Sequence, residues 1–163
     1  MHCTKIAAQV GALLKENLLK IVTAESCTAG LIAASITDIA GSSAWYDRGF
    51  VTYSNASKHE MLGVKMQSLM QVGAVSQSVV MQMAKGALLR SNADIALSVS
   101  GIAGPEGGSI DKPVGLVWFG FAFRDRSTIA HRFVFSGDRQ QIRDQAVSTG
   151  LSKLLQLLQD NTI

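Results

Sequence analysis

The segment GLVWFGFAF, at positions 115–123, is a near-continuous apolar run bounded by turn residues. Such a run is typical of a strand inside a sheet, because a strand covered on both faces has no solvent side for polar residues. The segment DIALSVS, at 94–100, alternates large apolar residues with small ones and has the same character. Both segments indicate a sheet whose two faces are covered.

Helical and strand patterns alternate over the first hundred residues. Apolar residues at three- and four-residue steps indicate helices, and β-branched or aromatic runs indicate strands. The predicted elements in chain order are a helix at 4–18, a strand at 20–25, a helix at 28–38, a strand at 50–55, short helical turns within 56–69, a helix at 76–91 capped by Ser76, the strands at 94–100, 115–123 and 128–135, and a last helix starting within 137–144. Alternating elements imply parallel strands joined by right-handed crossovers. The predicted fold class is α/β, a three-layer α/β/α sandwich with a mixed, mostly parallel sheet of about five strands and a C-terminal antiparallel hairpin.

Length and composition restrict the class of protein. A chain of 163 residues is of ordinary size for one domain, so we predict a single domain over 1–163. With 47% hydrophobic and 17% charged residues, the chain is not disordered. The net charge of +3 is small, and the basic residues are scattered. This pattern argues against a nucleic-acid partner and favours a local pocket for an anionic small molecule.

The sequence also indicates a location. No apolar run approaches the length of a membrane span, and the N-terminal segment lacks the apolar core of a signal peptide. The two cysteines, Cys3 and Cys27, have neither a disulfide framework nor metal-ligand spacing. We therefore expect a soluble cytoplasmic protein with no membrane partner.

Three polar loops follow the predicted parallel strands. They are AESCTAG, YSNASK and SGIAGPEGG, after strands that end near Glu25, Tyr53 and Ser100. Because the carboxyl ends of parallel strands share one edge of a sheet, these loops should meet in one crevice. The stretch KIVTAESCTAG, at 20–30, is interpreted as strand, sharp turn and helix, with three nucleophile-capable side chains at the turn.

Ser26 is the first candidate nucleophile of this crevice. A serine hydroxyl attacks a carbonyl only when a base removes its proton. Lys58 is the best candidate base, because burial near an apolar wall leaves a lysine amine neutral near pH 7. The backbone N–H groups of Cys27 and Thr28, at the predicted helix start, could hold an oxyanion. The histidines suit the role of base less well, since they fall at a terminus, in a segment that turns them away, and in a late strand: His2, His59 and His131.

The spacing of these residues alone leaves other interpretations open. Ser26, Cys27 or Thr28 could only cap the following helix. Cys27 could be the nucleophile of a cysteine amidase, because a thiol at a helix N-terminus has a lowered pKa. Lys58 alone is commonly a solvated surface lysine. The crevice could also be a nucleotide- or phosphate-binding module without catalysis.

Seven blocks in order, AESCTAG, AGSSAWYDRGFVTYSNASK, LGV, GAVS, SGIAGPEGG, KPVG and SGDRQQIR, resemble the CinA C-terminal domain family. The resemblance runs from about Ile6 to Leu158. Stand-alone members of this family look like nicotinamide-nucleotide amidohydrolases. The resemblance implies an enzyme of pyridine nucleotide salvage that hydrolyses the carboxamide of nicotinamide mononucleotide to nicotinate mononucleotide and ammonia. It also implies an α/β/α fold, a homodimer or higher homo-oligomer, and no cofactor or metal.

The resemblance assigns roles to residues of this chain. By analogy, Ser26 is the nucleophile and Lys58 the base. In the mechanism that we derive from these two residues, Tyr53 is a donor that orients Lys58 or the amide. Glu25 balances the cationic ring or is structural. Hydroxyl and amide groups of small-residue loops are expected to hold the phosphate, and Arg139 or Arg143 could add a bidentate contact from the same subunit or across a subunit interface. The substrate-binding candidates are Gly41, Ser42, Ser43, Ser100, Gly101, Gly104, Arg139 and Arg143.

Two positions depart from the family pattern. Family members commonly have ESCTGG where this chain has Ala29, and TGIAGP where it has Ser100. Ala29 is tolerable if its φ is negative, as expected in a first helical turn. Ser100 keeps the hydroxyl. The pyrophosphatase-like domain that precedes this module in full-length CinA proteins is not in this sequence, so we expect no metal-dependent activity from it.

Overall fold

The computed structural model describes residues 2–160 and places five strands in one sheet. The ends of the predicted domain, residue 1 and residues 161–163, and the side chain of His2 lie outside the described part. The elements are α1 (His2–Glu16), β1 (Ile21–Glu25), α2 (Leu31–Thr37), a short 3₁₀ turn (Ser42–Ala44), β2 (Tyr46–Val51), α3 (Asn55–Leu62), α4 (Met66–Val72), α5 (Gln77–Leu89), β3 (Ile95–Gly101), β4 (Leu116–Phe123), β5 (Ile129–Val134) and α6 (Arg139–Gln159). None of the helices within these bounds is long and apolar enough to cross a membrane.

The sheet has the strand order β2-β1-β3-β4-β5. β1 runs parallel to β2 and β3, and β4 runs antiparallel to β3 and β5. The predicted mixed sheet and C-terminal hairpin are therefore confirmed. Glu25, the last residue of β1, lies opposite Val51 of β2 and Val99 of β3, so the three parallel strands end together.

Helices cover both faces of the sheet, which confirms the three layers. On one face, α1, α2 and α6 enclose the large residues of β3 and β4, and the apolar stripe of α6 is buried as predicted: Val147, Leu151, Leu154 and Leu158. On the other face, α5 packs on small residues such as Ala24, Ala96 and Ala122. Small residues are needed there because a Cβ on Gly120 would come within 2.4 Å of the Val80 carbonyl oxygen of α5.

Two predicted elements differ from the structure. The second strand spans Tyr46–Val51 rather than 50–55, because β2 is an edge strand and tolerates the exposed Arg48 and Gly49. The weak signals over 56–69 correspond to two complete helices, α3 and α4. The only buried residues of α3 are Lys58 and Leu62, so α3 lacks the apolar period by which a helix is recognised in sequence.

Candidate active site

A pocket of about 260 Å³ opens where β1, β2 and β3 end. Its walls come from the three predicted loops, from the segment between α4 and α5, and from the start of α6. The residues that line it are Ser26, Cys27, Tyr53, Asn55, Lys58, Ala74, Val75, Ser100, Gly101, Ala103 and Arg139. The structure thus brings Ser26 and Lys58, thirty-two positions apart, into one pocket.

Lys58 is held by three oxygen atoms. Its Nζ lies 2.9 Å from Ser26 Oγ, 2.8 Å from the carbonyl oxygen of Thr52 and 3.1 Å from that of Tyr53. A carbonyl oxygen only accepts hydrogen bonds, so the two N–H groups of a neutral amine are committed to the carbonyls. The remaining lone pair then faces the Ser26 hydroxyl. This arrangement suits an amine that takes a proton from Ser26.

The environment of Lys58 favours the neutral amine. The side chain is 1% exposed. Burial lowers the pKa of Lys58 from 10.5 to about 8, and the nearby Cys27 offsets only part of this effect. At pH 7 about one Lys58 in ten is therefore uncharged.

The start of α3 places Lys58 in this position. Ser54 is the N-cap of α3, and its hydroxyl accepts a hydrogen bond of 3.0 Å from the Ser57 N–H. The Lys58 N–H donates to the Ser54 carbonyl oxygen at 3.1 Å and closes the first turn. The first turn of α3, which follows the end of β2, therefore places the Lys58 amine beside Ser26 at the end of β1.

The Cys27 thiol lies beside Ser26 but is a poor nucleophile. Burial raises the pKa of Cys27 from 9.0 to about 11, so the thiol stays protonated at neutral pH. Lys58 Nζ is within hydrogen-bond distance of Ser26 Oγ rather than of the thiol. These observations argue against the cysteine amidase.

Glu25 organises the turn that carries Ser26. Its carboxylate is 1% exposed and accepts four hydrogen bonds. The donors are Thr28 Oγ1 at 2.5 Å and the N–H groups of Gly30 at 3.1 Å, Ile32 at 3.1 Å and Ala33 at 2.8 Å. The carboxylate thus satisfies the free N–H groups at the start of α2. Of the two roles predicted for Glu25, the contacts support the structural one.

The turn differs from the sequence prediction in where its helix starts. α2 begins at Leu31 instead of residue 28, and its N-cap is Gly30, with no side-chain cap bond. The interpretation of Ser26, Cys27 or Thr28 as the helix cap is therefore wrong. Ala29 has a φ of +48°, so the expectation of a negative φ is also wrong. Left-handed Ala29 and Gly30 delay the helix, because that backbone cannot continue a right-handed turn.

Two backbone N–H groups after Ser26 are free to donate. The Ser26 N–H itself donates to the Val99 carbonyl oxygen at 3.0 Å. Within residues 2–160, no oxygen atom accepts a hydrogen bond from the N–H groups of Cys27 and Thr28, and the Cys27 N–H has only its own thiol as a weak acceptor. Cys27 lines the pocket, whereas Thr28 is fully buried. The Cys27 N–H is therefore the better placed oxyanion donor.

Tyr53 and Arg139 form one rim of the pocket. The Tyr53 hydroxyl accepts a hydrogen bond of 3.1 Å from Arg139 Nη2, and Arg139 Nη1 donates to the Gly104 carbonyl oxygen at 2.8 Å. The Tyr53 hydroxyl does not contact Lys58, which is held by the Tyr53 carbonyl oxygen instead. The prediction that Tyr53 donates a hydrogen bond to orient Lys58 is therefore wrong, whereas its alternative role toward the substrate amide stays a prediction.

The other substrate-binding candidates fall in three places. Ser100 and Gly101 line the pocket, and Gly104 reaches it through Arg139. Arg143 lies behind the turn and binds the carbonyl oxygens of Cys27 and Thr28. The loop with Gly41, Ser42 and Ser43 precedes β2, at the amino end of the parallel strands and away from the pocket. Within one chain this loop therefore does not reach Ser26. The connection from β1 to β2 returns the chain to the amino ends of the parallel strands, and Ser26 lies at their carboxyl ends.

Sequence reasoning missed the contributions of several residues. Asn55, Ala74 and Val75 line the pocket, and the Thr52 carbonyl oxygen holds Lys58. Asn55 and Ala74–Val75 lie inside the blocks YSNASK and GAVS, so a signal was present without an assigned role. A main-chain acceptor such as Thr52 leaves no mark in the sequence.

Neither histidine with a described side chain contacts Ser26. His59 Nδ1 lies 2.8 Å from the Val64 carbonyl oxygen, and His131 lies on β5, where burial lowers its pKa. Across residues 2–160, no three His, Cys, Asp or Glu side chains are arranged to hold a metal ion.

Comparison with known proteins gives consistent results. The chain matches the CinA C-terminal domain over residues 3–158. It is 57% identical to nicotinamide-nucleotide amidohydrolase PncC of Enterobacter agglomerans, over 93% of this chain and 92% of that protein. It is 54% identical to the Escherichia coli K12 protein of the same name, over 97% and 96% of the two chains. Among solved structures, competence/damage inducible protein CihA from Agrobacterium tumefaciens superposes with a TM-score of 0.94 at 46% identity, over 96% of both chains.

Proposed function

Because the chain belongs to the CinA C-terminal domain family, we propose that it hydrolyses the carboxamide of nicotinamide mononucleotide to nicotinate mononucleotide and ammonia. Relatives at 50% identity or more, each covered over most of its length, bear the name nicotinamide-nucleotide amidohydrolase. The observation that carries the proposal is the 2.9 Å contact between Lys58 Nζ and Ser26 Oγ in a pocket.

The first half-reaction forms an acyl-enzyme. Neutral Lys58 takes the Ser26 proton as Oγ attacks the carboxamide carbon, which the pyridinium ring makes more electrophilic. The Cys27 N–H, at the wall of the pocket, stabilises the oxyanion. When the oxyanion collapses, the C–N bond breaks and Lys58 returns the proton to the leaving nitrogen, which departs as ammonia.

The second half-reaction regenerates the enzyme. Lys58, neutral again, takes a proton from water as the water oxygen attacks the ester carbon. Collapse of this second oxyanion breaks the bond to Ser26 Oγ, and Lys58 returns the proton to that oxygen. Nicotinate mononucleotide leaves. Thr52 and Tyr53 hold the amine through both steps, because their carbonyl oxygens bind it in either protonation state.

The rim of the pocket supports binding of the rest of the substrate. Arg139 is an exposed cation at the mouth of the pocket, braced by the Tyr53 hydroxyl and the Gly104 carbonyl oxygen. An arginine braced in this way is preorganised for a phosphate. Ser100 Oγ makes no hydrogen bond within the described chain, and its hydroxyl is therefore available to the substrate. Gly101 lines the pocket beside it.

Ammonia release from nicotinamide mononucleotide tests the proposal. We expect turnover by the wild-type protein, and a loss of about a thousandfold or more in Ser26→Ala and Lys58→Met. Cys27→Ala keeps a rate within a few-fold of wild type and is the matched control. Substrate binding without ammonia release would indicate a nucleotide-binding module without catalysis and would contradict the proposed function. Turnover retained in Ser26→Ala but lost in Cys27→Ala would move the nucleophile to the thiol.

We propose that the protein acts in the cytoplasm as a homodimer or higher homo-oligomer built from one domain per chain. Met66 and Met70 lie one turn apart on α4 and expose apolar side chains on the same face of this helix, which supports association. Sedimentation equilibrium is expected to give a mass of at least two chains, and cell fractionation to place the protein in the cytoplasmic fraction. The mass of a single chain would contradict the oligomer.

A further inference from the structure

Arg143 contacts the turn that carries Ser26 without facing the pocket. It lies on α6, four residues after Arg139, so the two arginines are neighbours on one face of the helix. Arg139 lines the pocket, whereas Arg143 is not among the lining residues. Its Nε donates to the Cys27 carbonyl oxygen at 3.0 Å, and its Nη2 lies 3.4 Å from the Thr28 carbonyl oxygen.

The contacts of Arg143 are with the main chain alone. No carboxylate pairs with it among residues 2–160. A guanidinium presents its donors in a fixed planar fork, so two successive carbonyl groups that meet this fork are held in a defined orientation. Arg143 therefore holds the backbone of the turn, and among the described residues it takes part in no surface ion pair.

The peptide group between Cys27 and Thr28 depends on this contact. The preceding peptide is held at the Ser26 carbonyl oxygen by the Ala29 N–H at 3.1 Å. Within the described chain, the Cys27 carbonyl oxygen accepts a hydrogen bond from Arg143 alone. Because a peptide group is planar, the same contact fixes the direction of the Thr28 N–H. It also restrains Cys27, which lines the pocket and whose N–H is the proposed oxyanion donor.

We propose that Arg143 is a positioning residue that locks the peptide group after Cys27 and so keeps Ser26 and the oxyanion donors in their reactive arrangement. This inference rests on the proposed amidohydrolase function. It replaces the sequence-based role of Arg143 as a phosphate ligand and leaves that role to Arg139. A residue of this kind acts on the transition state more than on the bound substrate, so its loss lowers kcat more than it raises KM.

Two variants of Arg143 and one of Arg139 separate these roles. Arg143→Met keeps the apolar stem and removes the donors, and we expect kcat to fall about tenfold to a hundredfold with KM within about threefold of wild type. Arg143→Lys keeps the charge without the fork and is expected to recover part of kcat. Arg139→Met is expected to raise KM for nicotinamide mononucleotide instead.

A substrate without the phosphate makes the distinction sharper. The same variants are assayed on nicotinamide riboside, which keeps the carboxamide, the pyridinium ring and the ribose and lacks only the phosphate. A positioning residue gives the same fold-loss in kcat on both substrates. A loss for Arg143→Met that appears mainly in KM and disappears with the riboside would overturn the inference and restore the phosphate role.

A labelling experiment measures the reactivity of Ser26 in the turn without the amide substrate. A fluorophosphonate reacts at Ser26, with the phosphorus bound by Oγ and fluoride leaving, and its rate depends on the nucleophile and the oxyanion donors. We expect slower labelling in Arg143→Met and wild-type labelling in Arg132→Met, a control at an exposed arginine of β5 outside the pocket, both measured by mass spectrometry.

The outcomes for the two proposals differ. Wild-type protein that releases no ammonia refutes the proposed function. Active wild-type protein with wild-type kcat and labelling rates in both Arg143 variants refutes the positioning role alone. Far-UV circular dichroism identifies any variant that does not fold, and Arg143→Lys then provides the comparison.

Discussion

Lys58 is fully buried, which is rare for a lysine. Its amine contacts a hydroxyl and two carbonyl oxygens, and none of these contacts is with a carboxylate. Its environment makes the proposed activity depend on pH. A base works in its neutral form, so activity should rise with pH while Lys58 loses its proton.

We predict that kcat/KM rises about tenfold per pH unit below the Lys58 pKa of about 8 and levels off above it. Initial rates of ammonia release between about pH 6 and pH 10, at constant ionic strength, measure this profile. Lys58→Arg is the matched variant, because arginine stays charged throughout this range and should be inactive at every pH. A flat or falling profile in the wild-type protein would contradict the assignment of Lys58 as base.

Ala29 is a second residue whose environment is unusual. Its left-handed φ of +48° is disfavoured for a residue with a Cβ and favoured for glycine. We predict that Ala29→Gly raises the free energy of unfolding by about 1 kcal/mol, measured by urea denaturation. Ala34→Gly, at an exposed position of α2, is the control and should lower it by about 1 kcal/mol, because glycine disfavours a helix interior. A lower stability of Ala29→Gly would show that the turn does not strain Ala29.

At the scale of elements, α3 is the helix that decides where the amine lies. Ser54 caps it through the Ser57 N–H. We predict that Ser54→Ala lowers the free energy of unfolding by about 1 kcal/mol and kcat by a few-fold, because the first turn of α3 carries Lys58. Ser54→Thr keeps a capping hydroxyl and should retain both quantities. Chemical denaturation and ammonia release measure the pair. Loss of stability with an unchanged kcat would separate the cap from the placement of Lys58.

The elements also show what the sequence could and could not predict. Buried strands such as 115–123 and 94–100 were predicted closely, because a strand covered on both faces leaves a strong apolar signal. α3 was weakly predicted since the largest of its buried side chains is a lysine. The start of α2 was misplaced because a Glu25 side chain from the preceding strand satisfies its N–H groups, a tertiary contact that local capping rules do not include.

The candidate site was predictable in part for the same reasons. Parallel strand ends bring Ser26, Lys58 and Ser100 to one edge, and this follows from topology. The loop at 41–43 was expected there from its composition of small residues, but its chain position puts it at the other edge. Arg143 was assigned to phosphate from its charge, and only coordinates reveal that its partners are carbonyl groups.

At the scale of the whole molecule, the pocket takes residues from the ends of three strands, from the segment before α5 and from α6. The site is therefore complete only when both faces of the sheet are covered. Trp45 belongs to the core on one face, and Trp118 packs against the core on the other. These two side chains report on the two halves of the structure.

We predict one cooperative unfolding transition, as for a single domain. In Trp45→Phe the remaining fluorescence reports on the Trp118 face, and in Trp118→Phe on the Trp45 face. Within each variant, the urea midpoints by fluorescence, far-UV circular dichroism and residual ammonia release should coincide. Midpoints that separate in either variant would show that the faces unfold independently and would contradict the single domain.

The hydrogen bonds from Lys58 to two main-chain carbonyl oxygens have a consequence for protein engineering. The identities of residues 52 and 53 can change without removing these acceptors, because every amino acid supplies a carbonyl. Grafting a serine and a lysine alone onto a foreign scaffold would therefore omit what tethers the amine. A successful transplant has to copy the course of the backbone from 52 to 58, and a search for convergent sites should compare chain trajectories before it compares side chains.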